Sequence, residues 1–421
     1  MDDLTSTVSA QDINDAYARL LTVVRRTELQ PNDRLSKLYE CEVYLKREDL
    51  QSVRSYKIRG AYNLMSQLSS SERDAGIVCA SAGNHAQGVA LTCALLGVCG
   101  SVYMPQNTPR QKIDRVRAFG GDNVEIELIG DTFDDTYAVA AQYSRETGKT
   151  FVHPFDDPRI VAGQGTVACE IAEQLGAGNE PDFIFAPVGG GGLVSGISVF
   201  SASALKQVKI VGVEPAGAAC LQAAMANHGP ITLEAIDTFV DGAAVRRAGE
   251  LPYNICSQLL PELVTVTEGA ICTELIKLYQ TEGVIAEPAG ALSVTALAAF
   301  KDRIIGKRVV CIISGGNNDI SRYPEILERS LIDQGLKHYF LIEFPQRPGA
   351  LRRYLDEALG PDDDITVFEY IKKSNREYGP ALVGVELTRN SDYLGLVERM
   401  KAIGLRYEVI SRDSALFRFV L

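Results

Sequence analysis

The chain has 421 residues, more than one ordinary hydrophobic core organises, so two or three domains are expected. Hydrophobic residues make up 46% and charged residues 23%, the balance of a soluble globular protein. A formal net charge of -12, with a pI near 5.0, argues against general binding to nucleic acid or anionic membranes, because neither attracts an acidic surface.

Nine cysteines, an odd number without a C-x-x-C pair or metal-ligand spacing, fit a reducing compartment and predict no metal site. Cys79, Cys93 and Cys311 fall inside apolar patterns and read as small core residues. Met1-Asp2-Asp3-Leu4 is acidic and lacks an apolar stretch, so no secretory signal is expected. The longest apolar-looking run, Phe183–Phe200, is broken by Pro187 and five glycines, which argues against a membrane span.

In chain order, Ser9 to Val24 predicts an amphipathic helix with Ile13, Ala16, Leu20 and Val24 on one face. Cys41 to Glu48 alternates like a strand and leads into Arg54-Ser55-Tyr56-Lys57-Ile58-Arg59-Gly60-Ala61. Strand Ile77–Ala80 follows, then Ser81-Ala82-Gly83-Asn84-His85 and a helix carrying Ala86, Val89, Ala90 and Cys93. Strand Ser101–Met104, a helix from Pro109 to Phe119 and strand Val124–Leu128 continue the alternation that marks parallel α/β layers. The basic run Arg110 to Arg117 reads as one solvated face of that helix.

A second α/β series is expected from about Phe151. Its strands are Phe183–Ala186, Ile210–Val213 and Val309–Ile313; its helices lie near Val161–Leu175, Leu193–Leu205 and Glu268–Gln280. After Ser330 the pattern changes to strand (His338–Phe344), helix (Pro348–Leu359), strand (Ile365–Lys373), strand (Ala381–Thr388), helix (Asp392–Ile403) and strand (Phe417–Leu421). That is the ferredoxin-like order. The first of these helices is expected to bury Leu351, Tyr354, Leu355 and Ala358, the second Tyr393, Val397 and Met400.

Lysine becomes a nucleophile at neutral pH when apolar surroundings or a neighbouring cation strip its proton. Lys57 has Tyr56 and Ile58 beside it and Arg54 and Arg59 nearby, although such lysines are more often solvated. Three strand ends run into Gly- or Ser-rich turns at Ser81, Gly189 and Ser314, and open α/β sheets bind ligands at strand carboxyl ends. Gly189-Gly190-Gly191-Gly192-Leu193 opens a helix, where bare backbone N–H groups and the helix dipole favour a phosphate. No Lys-Ser/Thr follows and no G-x-G-x-x-G is present, so neither a nucleotide P-loop nor a dinucleotide fits. Ser81 to Asn84 offers donors for a carboxylate or a phenolate-like oxygen, though Ser and Asn also cap helices. His85 reads as a structural histidine rather than a general base.

Those segments, with Glu287-Pro288-Ala289-Gly290-Ala291 and Ser314-Gly315-Gly316-Asn317, appear in the order seen in the threonine dehydratase (threonine ammonia-lyase) family. Residues 10 to 325 resemble this fold type II family of pyridoxal phosphate (PLP) enzymes. The segment with Phe344-Pro345-Gln346-Arg347-Pro348-Gly349-Ala350-Leu351 resembles one ACT-like regulatory domain of biosynthetic members. The resemblance implies α/β open parallel sheets in two subdomains of the tryptophan synthase β-like class, plus a C-terminal α+β ferredoxin-like domain. The implied boundaries are 1–328, with a smaller subdomain about 48–150, and 329–421.

By that resemblance Lys57 is the catalytic and cofactor-binding lysine, and Gly189, Gly190, Gly191, Gly192 and Leu193 hold the PLP phosphate. Asn84 contacts the ring hydroxyl and Ser314 the pyridine nitrogen; Ser81, Ala82, Gly83, Asn84 and His85 hold the substrate. A serine at 314 does not stabilise a protonated ring as a carboxylate does, which favours prompt loss of a β-leaving group. The implied reaction converts L-threonine to 2-oxobutanoate and ammonia in a cytoplasmic homotetramer, with isoleucine as effector and Arg347, Pro348 and Gly349 as candidate regulatory residues. Ala82 stands where serine racemases carry a serine, and Cys220 where they carry a cation-binding aspartate, so racemisation and a hard-cation site are not expected. The alternatives are a catabolic serine/threonine dehydratase, whose relatives lack the extra domain, and a non-catalytic amino-acid sensor.

Overall fold

A strand followed by a helix returns the chain to the same end of a sheet, so the strands pair parallel. In the computed structural model, which describes residues 8–260, 262–371, 377–411 and 416–417, this builds two sheets within one unit, Met1–Asn318. Six strands form the larger sheet in the order Leu29–Pro31, Glu42–Arg47, Arg308–Ile313, Phe183–Pro187, Lys209–Pro215 and Glu262–Val266. All its pairs are parallel except the first. The smaller sheet, ordered Val124–Leu128, Gly100–Met104, Ile77–Ala80 and Thr150–Phe151, is parallel throughout.

Central strands buried on both faces read as continuous apolar runs, and Ile77–Ala80, Gly100–Met104 and Phe183–Pro187 are buried along their whole length. Leu29–Pro31, Thr150–Phe151 and Glu262–Val266 are not expected from sequence. Each lies at a sheet edge, and none has a fully buried residue. The first helix, Ala10–Leu20, is closed by a capping box between Ser9 and Asp12 and buries Ile13, Ala16 and Leu20.

Three helices hold the site-bearing segments together. Pro158–Leu175 packs between Lys57–Met65 and Gly192–Ala204. A Cβ on Gly163 would lie 2.7 Å from Arg59 O, and one on Gly165 would lie 2.8 Å from Gly196 O. Bare glycines thus let both outer helices approach the middle one at backbone distance. This fixes the Lys57 helix relative to the glycine-run helix.

Beneath Lys57 lies a neutral buried quartet. Arg59 donates to Glu48 (2.7 and 2.8 Å) and to Glu170 (2.8 Å), and Lys46 Nζ donates to Glu170 at 2.5 Å. All four residues are at most 1% exposed. Removing one member leaves an uncompensated charge in the interior. Arg59→Met is therefore expected to destabilise this unit by about 3–5 kcal/mol, read as a lowered denaturation midpoint. A wild-type midpoint contradicts that.

Asp319–Leu421 forms the second unit. Its antiparallel sheet runs Asp364–Tyr370, Tyr378–Glu386, Lys337–Pro345, Arg406–Val409, with helices Ala350–Glu357 and Asp392–Ala402. The core gathers Phe340, Ile342, Phe344, Tyr354, Ala358, Leu396 and Met400. Two expectations need correction here. Leu351 and Leu355 are 42% and 43% exposed, because they flank the Tyr354–Ala358 stripe, and Leu396 is buried where Val397 was expected. The fourth strand is Arg406–Val409; of the strand expected at Phe417–Leu421, residues 418–421 lie outside the described residues, as do 372–373 of the expected Ile365–Lys373. Among the described residues, no helix is long and apolar enough to cross a membrane.

Candidate active site

The lysine stretch is joined to the Ser314 turn by backbone bonds. Tyr56 N–H donates to Ser314 O at 3.1 Å and Gly316 N–H to Arg54 O at 2.9 Å. Lys57 then opens its helix, with Nζ 2.9 Å from Pro154 O and 5.3 Å from the Tyr56 ring centroid. Burial pulls the amine down to about 8, with the charge of Glu287 opposing the shift. Near neutral pH a useful fraction of Lys57 is therefore uncharged.

One cavity of about 280 Å³ collects Lys57, Ser81, Ala82, Gly83, Asn84, His85, Gly189 to Gly192 and Leu193. Ser314 does not line it; it is buried behind, with Oγ 3.3 Å from Ala289 O. The backbone N–H groups of Gly189 to Leu193 meet no protein acceptor among the described residues, so five donors stand open beside a helix N-terminus. The N–H groups of Ala82, Asn84 and His85 are likewise unpartnered there. Ser81 Oγ accepts from Gly83 N–H at 3.1 Å, which leaves the Ser81 O–H free to donate.

The structure gives the glycine run a second cause. Gly191 has φ +96°, a region that favours glycine, and its Cβ would meet Pro252. A Cβ on Gly190 would collide with the Phe155 ring, and one on Gly192 would crowd Phe155 O at 3.0 Å. Chain packing alone therefore demands glycine at these positions, and the open N–H groups carry the case for a bound phosphate.

Sequence reasoning assigned no role to the segment that holds Phe155. His153 Nδ1 accepts from Phe155 N–H (3.2 Å) and Asp156 N–H (2.8 Å), while Asp156 caps the helix at Glu250 and Leu251. His85 Nε2 lies 2.8 Å from Val152 O, and its buried Nδ1 meets no protein partner among the described residues. Burial pushes His85 down to about 3 and His153 to about 4, from the ordinary 6.5. Both are neutral in the fold but protonate when unfolded, so their stabilisation is complete above pH 6.5 and is lost as pH falls through 4 for His153 and through 3 for His85. His153→Asn, whose Oδ1 can still accept, is expected to flatten the acid fall of the melting temperature. An unchanged slope contradicts this.

Glu287 is the other residue without an assigned role. It is 4% exposed, lines the cavity, and burial, followed by the charge of Asp241, raises it to about 7. The basic helix is not simply solvated, since Lys112 reaches Asp241 at 2.6 Å and Arg115 reaches Asn317 Oδ1 at 2.8 Å. In the second unit, Arg347 and Gly349 line a cavity of about 580 Å³ with Phe344, Leu351, Leu355 and Phe368; Pro348 does not. Among the described residues, no cluster of three or more His, Cys, Asp or Glu is placed to hold a metal ion.

Residues 20–315 match the family described as pyridoxal-phosphate dependent enzyme, and residues 328–420 match the C-terminal regulatory domain of threonine dehydratase. The chain is 52% identical over 417 residues to L-threonine dehydratase biosynthetic IlvA of Bacillus subtilis (strain 168), covering 99% of this chain and 98% of that protein. It is 54% identical over 416 residues to the protein of the same name in Mycobacterium tuberculosis (strain ATCC 25618 / H37Rv), covering 98% and 96%. Among solved structures it is similar to the processed form of threonine deaminase isoform 2 from Solanum lycopersicum. That match has a TM-score of 0.72 and 39% identity, and covers 76% of this chain and 92% of that one.

Proposed function

Since the chain belongs to the pyridoxal-phosphate dependent enzyme family and ends in the regulatory domain of threonine dehydratase, we propose that it is a biosynthetic L-threonine ammonia-lyase. It converts L-threonine to 2-oxobutanoate and ammonia, the first committed step of isoleucine biosynthesis. One observation carries the reading: a half-buried lysine of lowered pKa shares a cavity with five open backbone donors, in a chain matched along 99% of its length by a protein of that name.

The residues present fit PLP. The open N–H groups of Gly189 to Leu193 suit a phosphate and Lys57 offers an amine; the Ser314 hydroxyl donates to Ala289 O and lies outside the cavity lining, so its place at the ring rests on the family resemblance. When bound, PLP supplies an electron sink that weakens the bonds at the substrate Cα. The unpartnered N–H groups of the Ser81–His85 turn and the Ser81 hydroxyl hold the substrate carboxylate. Lys57 Nζ, uncharged, takes the Cα proton, and the β-hydroxyl leaves as water with that proton returned to it, which leaves Nζ uncharged again. The released enamine takes up one water in place of the one lost, giving 2-oxobutanoate and ammonia. Ala82 carries no acidic hydrogen with which to reprotonate the other face of Cα, which favours elimination over racemisation.

In the second unit, the reading assigns isoleucine to the cavity at Arg347 and Gly349, next to Pro348, with a guanidinium for its carboxylate and Phe344, Leu351 and Leu355 for its side chain. A homotetramer in the cytoplasm belongs to the same reading, as does a regulatory domain starting near 329, inside the unit Asp319–Leu421. The test is 2-oxobutanoate formation from threonine with added PLP, repeated with serine and with isoleucine. The reading expects turnover of threonine that isoleucine suppresses, and absence of turnover overturns it.

A further inference from the structure

Two side-chain amides in the cavity have their orientation dictated by groups with a single hydrogen-bonding sense. Arg115 only donates, and its Nη2 lies 2.8 Å from Asn317 Oδ1. The Val53 carbonyl only accepts, and Asn317 Nδ2 lies 2.8 Å from it. Asn317 therefore cannot flip, and its second Nδ2 hydrogen goes to Asn84 Oδ1 at 2.7 Å. Asn84 is fixed in turn, with Nδ2 donating to Glu287 Oε1 at 2.6 Å. Glu287 Oε2 accepts from Asn317 N–H at 3.2 Å, which closes the circuit. A flipped Asn84 would set its NH2 against the Asn317 NH2, which has no other orientation. After these bonds Asn84 retains one N–H, while its oxygen is held toward Asn317.

We propose that Glu287 and Asn317 are positioning residues that lock the Asn84 amide so that it presents only a donor to the ring oxygen of the bound cofactor. A donor there favours the ionised oxygen over the hydroxyl, so the lock selects the cofactor's protonation pattern as well as its position. The inference rests on the reading that Asn84 faces that oxygen.

The test uses full-length holoenzyme and two readouts besides activity: the long- to short-wavelength absorbance ratio of the bound cofactor, and its dissociation constant. Asn84→Ala measures what the donor itself contributes. Asn317→Asp, which places an acceptor against Asn84 Oδ1, and Glu287→Gln are expected to move the ratio in the same direction and to weaken cofactor binding about tenfold, the size of one hydrogen bond to a charged group. A general loss of stability would lower the melting temperature without moving the ratio. If Asn84→Ala moves the ratio and the other two do not, the lock is overturned and the reading of Asn84 stands. If Asn84→Ala leaves it unmoved, both are overturned. Should the Asn317 and Glu287 variants fail to fold, Arg115→Met carries the test: a smaller shift in the same direction supports the lock, and an unmoved ratio overturns it.

Discussion

Replacing Lys57 by alanine is expected to lower threonine turnover by at least about four orders of magnitude while leaving the fold intact. Both halves of that expectation follow from where the residue sits. Lys57 is the first residue of helix Lys57–Met65, a position that alanine fills well, and its side chain makes one hydrogen bond, to Pro154 O. The helix itself is held from below by Arg59 and its buried carboxylates, which the substitution does not touch. What is lost is the amine, which burial has brought to about 8 and so within reach of neutral operation. Ammonia release together with far-ultraviolet circular dichroism checks the result. Release at the wild-type rate by a folded variant removes Lys57 from the chemistry.

Ending the chain at Asn318 is expected to abolish isoleucine inhibition and leave threonine turnover in place. The first unit carries its own cores, around Val161, Ile184, Ile197 and Val310 in the larger sheet and around Leu64, Ile77, Val89 and Val102 in the smaller. Its catalytic candidates all precede residue 319. An effector acting through a separate unit supplies about 1–3 kcal/mol of coupling, and that coupling disappears with the unit. Dose–response curves for isoleucine on the full and shortened proteins decide the matter. Inhibition of equal depth in the folded, shortened protein contradicts a regulatory role for residues 319–421.

Much of this architecture is legible in the residues, and the places where it is not have physical causes. Strands buried on both faces, such as Ile77–Ala80 and Phe183–Pro187, announce themselves as short apolar runs ending in Gly or Ser turns. Glu262–Val266 has no fully buried residue and gives no such contrast. Helix Arg110–Gly120 misleads in the other direction. Its charges suggest one solvated face, yet Lys112 and Arg115 turn toward Asp241 and Asn317, partners far away in sequence. Glycine at 189–192 reads as a phosphate loop, but Phe155 and Pro252 would require bare backbone at 190–192 in any case. Neither Phe155 nor Glu287 could be given a part from sequence, since each matters through what it packs against rather than through its neighbours along the chain. His153-Pro154-Phe155-Asp156 and the Glu287-Pro288 pair were the available signals.

The most direct measurement is to reduce the cofactor-loaded protein with borohydride, digest it, and locate the pyridoxyl mass by peptide sequencing. The account predicts one modified residue, Lys57, with the signal lost when the glycine run is crowded by Gly190→Ala. Modification at another lysine, or none in a protein that still turns over threonine, contradicts it.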